Sequence, residues 1–150
     1  MDEFESSFNN VLVETFGHVH KYEETVLKYF LDVPVTITEV HIIEMIGRNT
    51  STEITVSKIA SGFNIARPTA TIAVRKMEKK GLIKKVSCEK DARRAIISLT
   101  ELGKKIERVH QIFHIEMARS ISKQFSDNEK QVLLKAARAL NEYFKTKTEA

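Results

Sequence analysis

From Ile65 to Thr100 the chain reads IARPTATIAVRKMEKKGLIKKVSCEKDARRAIISLT, and no other stretch restricts the fold as much. A basic segment with apolar residues at helical spacing is stopped by a glycine. Two runs rich in Ile and Val follow, separated by a charged turn, which predicts a short helix followed by a β-hairpin. Pro68 takes the first helical position, because the residue before a proline is driven out of helical geometry, and here that residue is Arg67. Arg67 offers no acceptor to cap the helix. The N–H groups of Thr69, Ala70 and Thr71 are then left for an outside anion, for which a DNA phosphate is the natural choice.

At helical period Ala66, Ala70, Ala73, Val74 and Met77 make one apolar stripe. Thr69, Thr71, Ile72, Arg75, Lys76 and Lys79 face outward. An isoleucine in the middle of a polar face suits contact with a thymine methyl in a major groove. The alternative is a stray surface apolar residue, which is common. Gly81 ends the helix, Leu82, Ile83 and Val86 begin one strand, and Ala95 to Leu99 return as its partner. Glu89 to Arg94 form the polar tip, where a pair of arginines can enter a minor groove.

Charge supports the same face. Between Arg67 and Arg94 lie ten basic and three acidic residues, a net +7 against +4 for the whole chain, so the remainder is −3. A basic face on a nearly neutral body is the footprint of a nucleic-acid binder, whereas a merely solvated surface would scatter both signs. A protein-interaction module on the same frame would lack this bias. No Ser-His-Asp constellation, phosphate loop or cofactor fingerprint points to an enzyme.

The rest of the chain reads as helices. Phe8, Val11, Leu12, Phe16, Val19, Tyr22, Val26, Tyr29 and Phe30 predict a long amphipathic helix over 2–31, bent near Gly17. Thr36 and Glu39 form a capping box for a helix reaching Met45, and Gly47 to Glu53 reads as a turn. Thr55 caps Val56 to Ala60, Gly62 ends that helix, and Phe63 to Ile65 turn into the basic one. Thr100 opens a helix to about Lys123, and Ser126 with Glu129 caps a last one. The two terminal regions thus supply three amphipathic helices whose apolar stripes need a surface to cover them.

A chain of 150 residues is expected to form one domain with a real core. Its single cysteine forms no internal disulfide and fits a reducing cytoplasm. No apolar run approaches a membrane span, and the opening residues carry no signal-peptide pattern. Cys88, on the first wing strand, is expected to be structural.

Asp91-Ala-Arg93-Arg94, then Leu99-Thr100-Glu-Leu-Gly103, resembles the wing signature of the MarR family of bacterial transcriptional regulators. The Met77-Glu-Lys-Lys-Gly81-Leu-Ile run before it matches too, and the resemblance extends over essentially the whole chain. It implies a mainly α fold with a small β wing: a dimeric winged helix-turn-helix of six helices. Residues 1–150 would be one such domain, with dimerisation helices at about 2–31 and 101–147 and a DNA-binding part at about 36–100. It implies a bacterial, cytoplasmic homodimer on double-stranded DNA, a repressor whose affinity an effector sets. Arg67, Thr69, Thr71, Ile72, Arg75 and Lys76 would face the major groove. Arg93 would reach the minor groove with Asp91 orienting basic side chains beside it, and Lys79, Lys90 and Arg94 would hold phosphates. Two such helices about 34 Å apart read half-sites one turn apart, so the operator is expected to be pseudo-palindromic. Pro68 departs from the family, which has a small residue there more often, and its rigid helix entry leaves the operator sequence open.

No cofactor is certain, but His110 and His114 stand four apart, a spacing that chelates metal from one helix. With His41 and either Glu23 or Glu24 they would make a three-histidine, one-carboxylate set suited to zinc, similar to the zinc-responsive branch of the family. A second branch, the repressor of fatty-acid synthesis genes in Gram-positive bacteria, also carries these histidines. Phe8 to Val13, Glu39-Val-His41 and Val109 to Met117 resemble it closely. There the co-regulator is an acyl carrier protein loaded with a long acyl chain. Another small-molecule effector is the third option, and paired histidines at this spacing are often incidental. His18 and His20 point to different sides and read as surface residues.

Overall fold

The N-terminal helix α1 (Glu3–Phe30) runs unbroken through Gly17 and buries only Glu23 and Leu27 of its 28 residues. The structure, a computed structural model, describes residues 2–148 apart from 31, 50, 89 and 90, and of 87, 88 and 91–94 the backbone alone. After α1 come α2 (Ile37–Arg48), α3 (Val56–Gly62) and α4 (Arg67–Lys79). A two-stranded antiparallel wing follows, β1 (Ile83–Cys88) and β2 (Asp91–Leu99), and then α5 (Glu101–Ser122) and α6 (Asp127–Thr148). The chain divides into two compact units, Met1–Phe113 and His114–Ala150.

The first unit holds the core. Val40, Ile42, Ile43 and Ile46 of α2 bury together with Ile59 of α3, Val74 and Met77 of α4, Ile83, Ile97 and Leu99 of the wing, and Ile106 of α5. Each such side chain contributes about 1.5–3 kcal/mol when fully buried. Local signals set the ends of the helices. Thr36 accepts the Glu39 N–H at 3.2 Å while the Glu39 carboxylate accepts the Thr36 N–H at 2.9 Å, which is the expected capping box. Thr55 accepts the Lys58 N–H at 3.3 Å and opens α3. Asn64, at φ +50, makes the tight turn into α4. Ile97 donates its N–H to the Ile54 carbonyl at 2.7 Å, tying the segment before α3 to the wing.

Two junctions explain the Gly-Leu-Ile and Leu-Thr-x-x-Gly patterns. Gly81 sits at φ +72, its N–H bonds the Glu78 carbonyl, and the Leu82 N–H bonds the Met77 carbonyl, closing α4 in a Schellman motif. Thr100 then joins strand to helix: its hydroxyl lies 2.6 Å from the Gly81 carbonyl and 3.0 Å from that of Leu82, and it accepts the Gly103 N–H at 3.1 Å. Gly103 is required by contact, since a Cβ there would stand 2.2 Å from the Leu82 carbonyl oxygen.

Three boundaries differ from the sequence reading. α2 continues through Gly47 to Arg48, and Asn49 ends it by donating its side-chain amide to the Met45 carbonyl at 2.7 Å. Arg67 is the first residue of α4, and Ala66, at ψ 142, is the one left outside. The expected wing tip is narrower, because β2 already begins at Asp91, paired with Cys88, and the register shifts between Ser87 and Cys88. In the second unit, Ser126 offers its N–H to Glu129 at 2.8 Å and its hydroxyl at 2.6 Å, opening α6, a helix that buries none of its residues.

Candidate nucleic-acid interface

α4 is amphipathic, and the core decides which face remains outside. Ala70, Val74 and Met77 are fully buried, Ala73 is half-buried, and Ala66, expected on the same stripe, is exposed. The opposite face presents Arg67, Pro68, Thr69, Ile72, Arg75, Lys76 and Lys79. Ile72 is 55% exposed among these polar residues. Thr71 is half-buried, and its hydroxyl donates back to the Arg67 carbonyl at 2.9 Å, which leaves its methyl and lone pairs for any outside partner.

The start of α4 carries no side-chain cap. Ala70, however, donates its N–H to the Ala66 carbonyl at 3.1 Å, so it is not one of the free donors expected from sequence. With Arg67 inside the helix the unsatisfied first-turn groups move one residue earlier, toward Thr69. Of the expected wing contacts, Lys90 lies outside the described residues, and Asp91, Arg93 and Arg94 are described as β2 backbone only.

Not every basic residue of this stretch serves the outer surface. Lys85 pairs with Glu78 at 2.9 Å, joining β1 to α4. Lys80 turns inward, with its ammonium 2.8 Å from both Glu39 carboxylate oxygens and 3.0 Å from the Pro34 carbonyl. A charge count treats these two like Arg75 or Lys76. The sequence contains no signal that separates them, because the Glu39 contact spans 41 residues.

A second set of titratable groups lies away from α4. The Glu23 carboxylate of α1 hydrogen-bonds His110 Nε2 of α5, with both residues buried. His41 Nε2 of α2 lies 3.7 Å from the same carboxylate, and Glu44 stands 4.0 Å from His110 Nδ1. Phe113 stacks on the His110 ring, and Tyr22 packs against Phe113. One ligand atom each from Glu23, His41 and His110 falls within 4.8 Å of the others, a grouping that could hold a metal. Glu24, the other carboxylate considered, points away and lies 4.0 Å from Lys28 on the exposed side of α1. His114 belongs to the second unit. His18 and His20 are exposed.

A basic, partly apolar helix face beside a β wing, held on a core of short helices, defines a winged helix-turn-helix DNA-binding protein. Residues 35–95 match the sequence model of the MarR family. The fold agrees with a crystal structure of Streptococcus pneumoniae FabT in complex with DNA, at TM-score 0.87 and 28% identity, covering 95% of this chain and 98% of that one. Staphylococcus aureus MepR, a transcription regulator of the multidrug efflux pump MepA, shares the fold at TM-score 0.68 and 23% identity over 89% of this chain and 97% of that one. A MepR F27L mutant bound to an oligodeoxyribonucleotide aligns at TM-score 0.63 and 24% identity over 90% and 97%. No curated protein matches the sequence. Over residues 35–95 the chain matches the MarR family, and it shares the fold of the DNA-binding regulators to which it is similar. Among the described residues no helix is long and apolar enough to cross a membrane.

Proposed function

We propose that the protein is a repressor that binds a pseudo-palindromic operator as a homodimer in the bacterial cytoplasm and controls fatty-acid synthesis genes. The observation that carries the DNA reading is the outer face of α4, where Ile72 is 55% exposed between Thr69 and Arg75 and Lys76. Arg67, Pro68, Thr69, Thr71, Ile72, Arg75 and Lys76 face the major groove. Lys79, Lys90 and Arg94 hold phosphates, and Arg93 enters the minor groove beside Asp91. The homodimer reading is supported by exposed apolar residues on α1 and α6. Phe4 is 72% exposed on α1, and Val11, Leu133 and Phe144 are also exposed. The pathway reading is supported by the likeness to FabT over nearly the whole of both chains.

Selection of bound duplexes from a random library tests it. An inverted repeat with half-sites one turn apart is expected, bound more tightly or less tightly once an acyl-loaded acyl carrier protein is added at fixed salt. Salt must be fixed because phosphate-driven affinity falls steeply with it. Enrichment of no sequence sinks the operator reading, and indifference to the loaded carrier sinks the pathway reading.

The approach of Glu23, His41 and His110 favours a second reading, a zinc-responsive regulator. Two imidazoles and one carboxylate suit zinc, and a fourth position would take water. Bound zinc favours one geometry of the regulator and so shifts DNA affinity. Stoichiometric zinc that is lost in His110→Ala and coupled to DNA affinity is the result expected from it. Zinc with no effect on DNA binding rules it out.

A further inference from the structure

We infer that Lys80 is a positioning residue: it makes no DNA contact, and clamps the C-terminal end of α4 to the corner between α1 and α2, setting the angle at which α4 is presented. This rests on α4 being the DNA-reading helix.

The geometry leaves Lys80 little else to do. An ammonium has three donors. Lys80 directs them at the two Glu39 oxygens, 2.8 Å each, and at the Pro34 carbonyl, 3.0 Å. No donor remains for a phosphate. Its side chain is 32% exposed and that of Glu39 11%, so the pair is partly sheltered from water and from screening salt. Glu39 is itself held, because it also accepts the Thr36 N–H in the capping box. One carboxylate thus serves the start of α2 and the end of α4 together.

Mechanics give this clamp a consequence. α4 is 13 residues long, roughly 20 Å at the helical rise. Its first residues follow the turn out of α3, where Ile65 donates its N–H to the Ala60 carbonyl at 2.9 Å. Its last turn is fixed by the Schellman closure onto β1 and by Lys80. A tilt of about 5° at the Lys80 end moves the far end by about 1.7 Å over a lever of that length. Groove contacts made by Arg67 and Thr69 do not survive an error of that size, since hydrogen bonds weaken steeply with distance and angle.

The test uses the full-length protein and the duplex it selects from a random library, with affinity measured across a salt series. Lys80→Met, Glu39→Gln and the double variant are compared with Lys79→Ala and Lys80→Arg, and the melting temperature of each is recorded. The clamp predicts a roughly fivefold to tenfold loss in both Lys80→Met and Glu39→Gln, a double variant no worse than either, partial recovery in Lys80→Arg, and an unchanged salt slope. The Glu39 result is the sharpest, because removing a negative charge near a DNA face by itself strengthens binding. A slope reduced by about one counterion in Lys80→Met makes Lys80 a phosphate contact and overturns the inference. Unchanged or tighter binding by Glu39→Gln also overturns it, as does a loss confined to variants that melt early. If the wild-type protein selects no duplex, the DNA reading fails first, and the clamp is left without the role assigned to it.

Discussion

Glu23 and His110 lie 87 residues apart in sequence and meet in a hydrogen bond in which both residues are almost fully buried, at 3% and 1% exposure. Together they join α1 to α5. Removing one partner costs the other its buried hydrogen bond, so Glu23→Ala is expected to destabilise the protein by about 1–3 kcal/mol in urea unfolding. Glu23→Leu with His110→Phe is expected to cost less than the two single changes summed, because an apolar pair leaves no polar group stranded. Additive losses would show that the two groups act independently.

His41 stands at the half-exposed edge of this cluster, with 40% of its side chain accessible. If the cluster takes zinc, His41→Ala should weaken zinc binding roughly tenfold or more while leaving the urea midpoint close to wild type. Glu24→Ala should change neither quantity, since Glu24 lies on the exposed side of α1 near Lys28. Calorimetric zinc titration of the two variants checks both expectations, and weakened zinc binding in Glu24→Ala would bring back the carboxylate that the structure sets aside.

Ile72→Ala should leave stability within about 0.5 kcal/mol, as expected of an exposed position. Its effect on DNA is expected at single base pairs, with preference for thymine reduced by about 1–3 kcal/mol there and binding to other sequences little changed. A competition assay over single-base variants of the selected duplex reads this directly. Equal weakening on all of them would deny Ile72 any role in reading bases.

Gly81 and Gly103 are needed for different reasons, and one substitution tells them apart. Gly81 has a left-handed φ of +72 with nothing near a would-be Cβ, so Gly81→Ala should cost about 1–2 kcal/mol and Gly81→Asn less. At Gly103 the Cβ would meet the Leu82 carbonyl at 2.2 Å. Overpacking of this kind costs about 1–3 kcal/mol, which outweighs the gain of about 1 kcal/mol in helix propensity. Asn is expected to be worse than Ala at Gly103 and better than Ala at Gly81, measured by denaturation midpoints.

The Glu129 carboxyl is held below its ordinary 4.5, first by the Ser126 hydroxyl and then by the Ser126 N–H. A depressed folded-state pKa means that this cap stabilises α6 above the ordinary glutamate range and is lost as pH falls through the depressed value. Ser126→Ala should raise the Glu129 pKa toward its ordinary value in an NMR titration. No movement would show that the hydroxyl contributes nothing.

Patterns that depend on near neighbours were legible in the chain alone. The capping box at Thr36, the Ser126–Glu129 pairing, the glycine stop at Gly81, the apolar stripe of Ala70, Val74 and Met77 and the two wing strands all act over a few residues, and periodicity and turn chemistry display them. The net +7 between Arg67 and Arg94 pointed to nucleic acid for the same reason, since it is a property of composition. Tertiary structure decided what depends on approach between distant segments. It selected Glu23 over Glu24 for the histidine cluster and turned Lys80 inward onto Glu39 and Pro34 while Lys79 stayed exposed. It also set Leu82 against Gly103, so that this position admits no side chain. Neighbouring residues of like type carry the same local propensity, so only packing between remote parts of the chain can distinguish them.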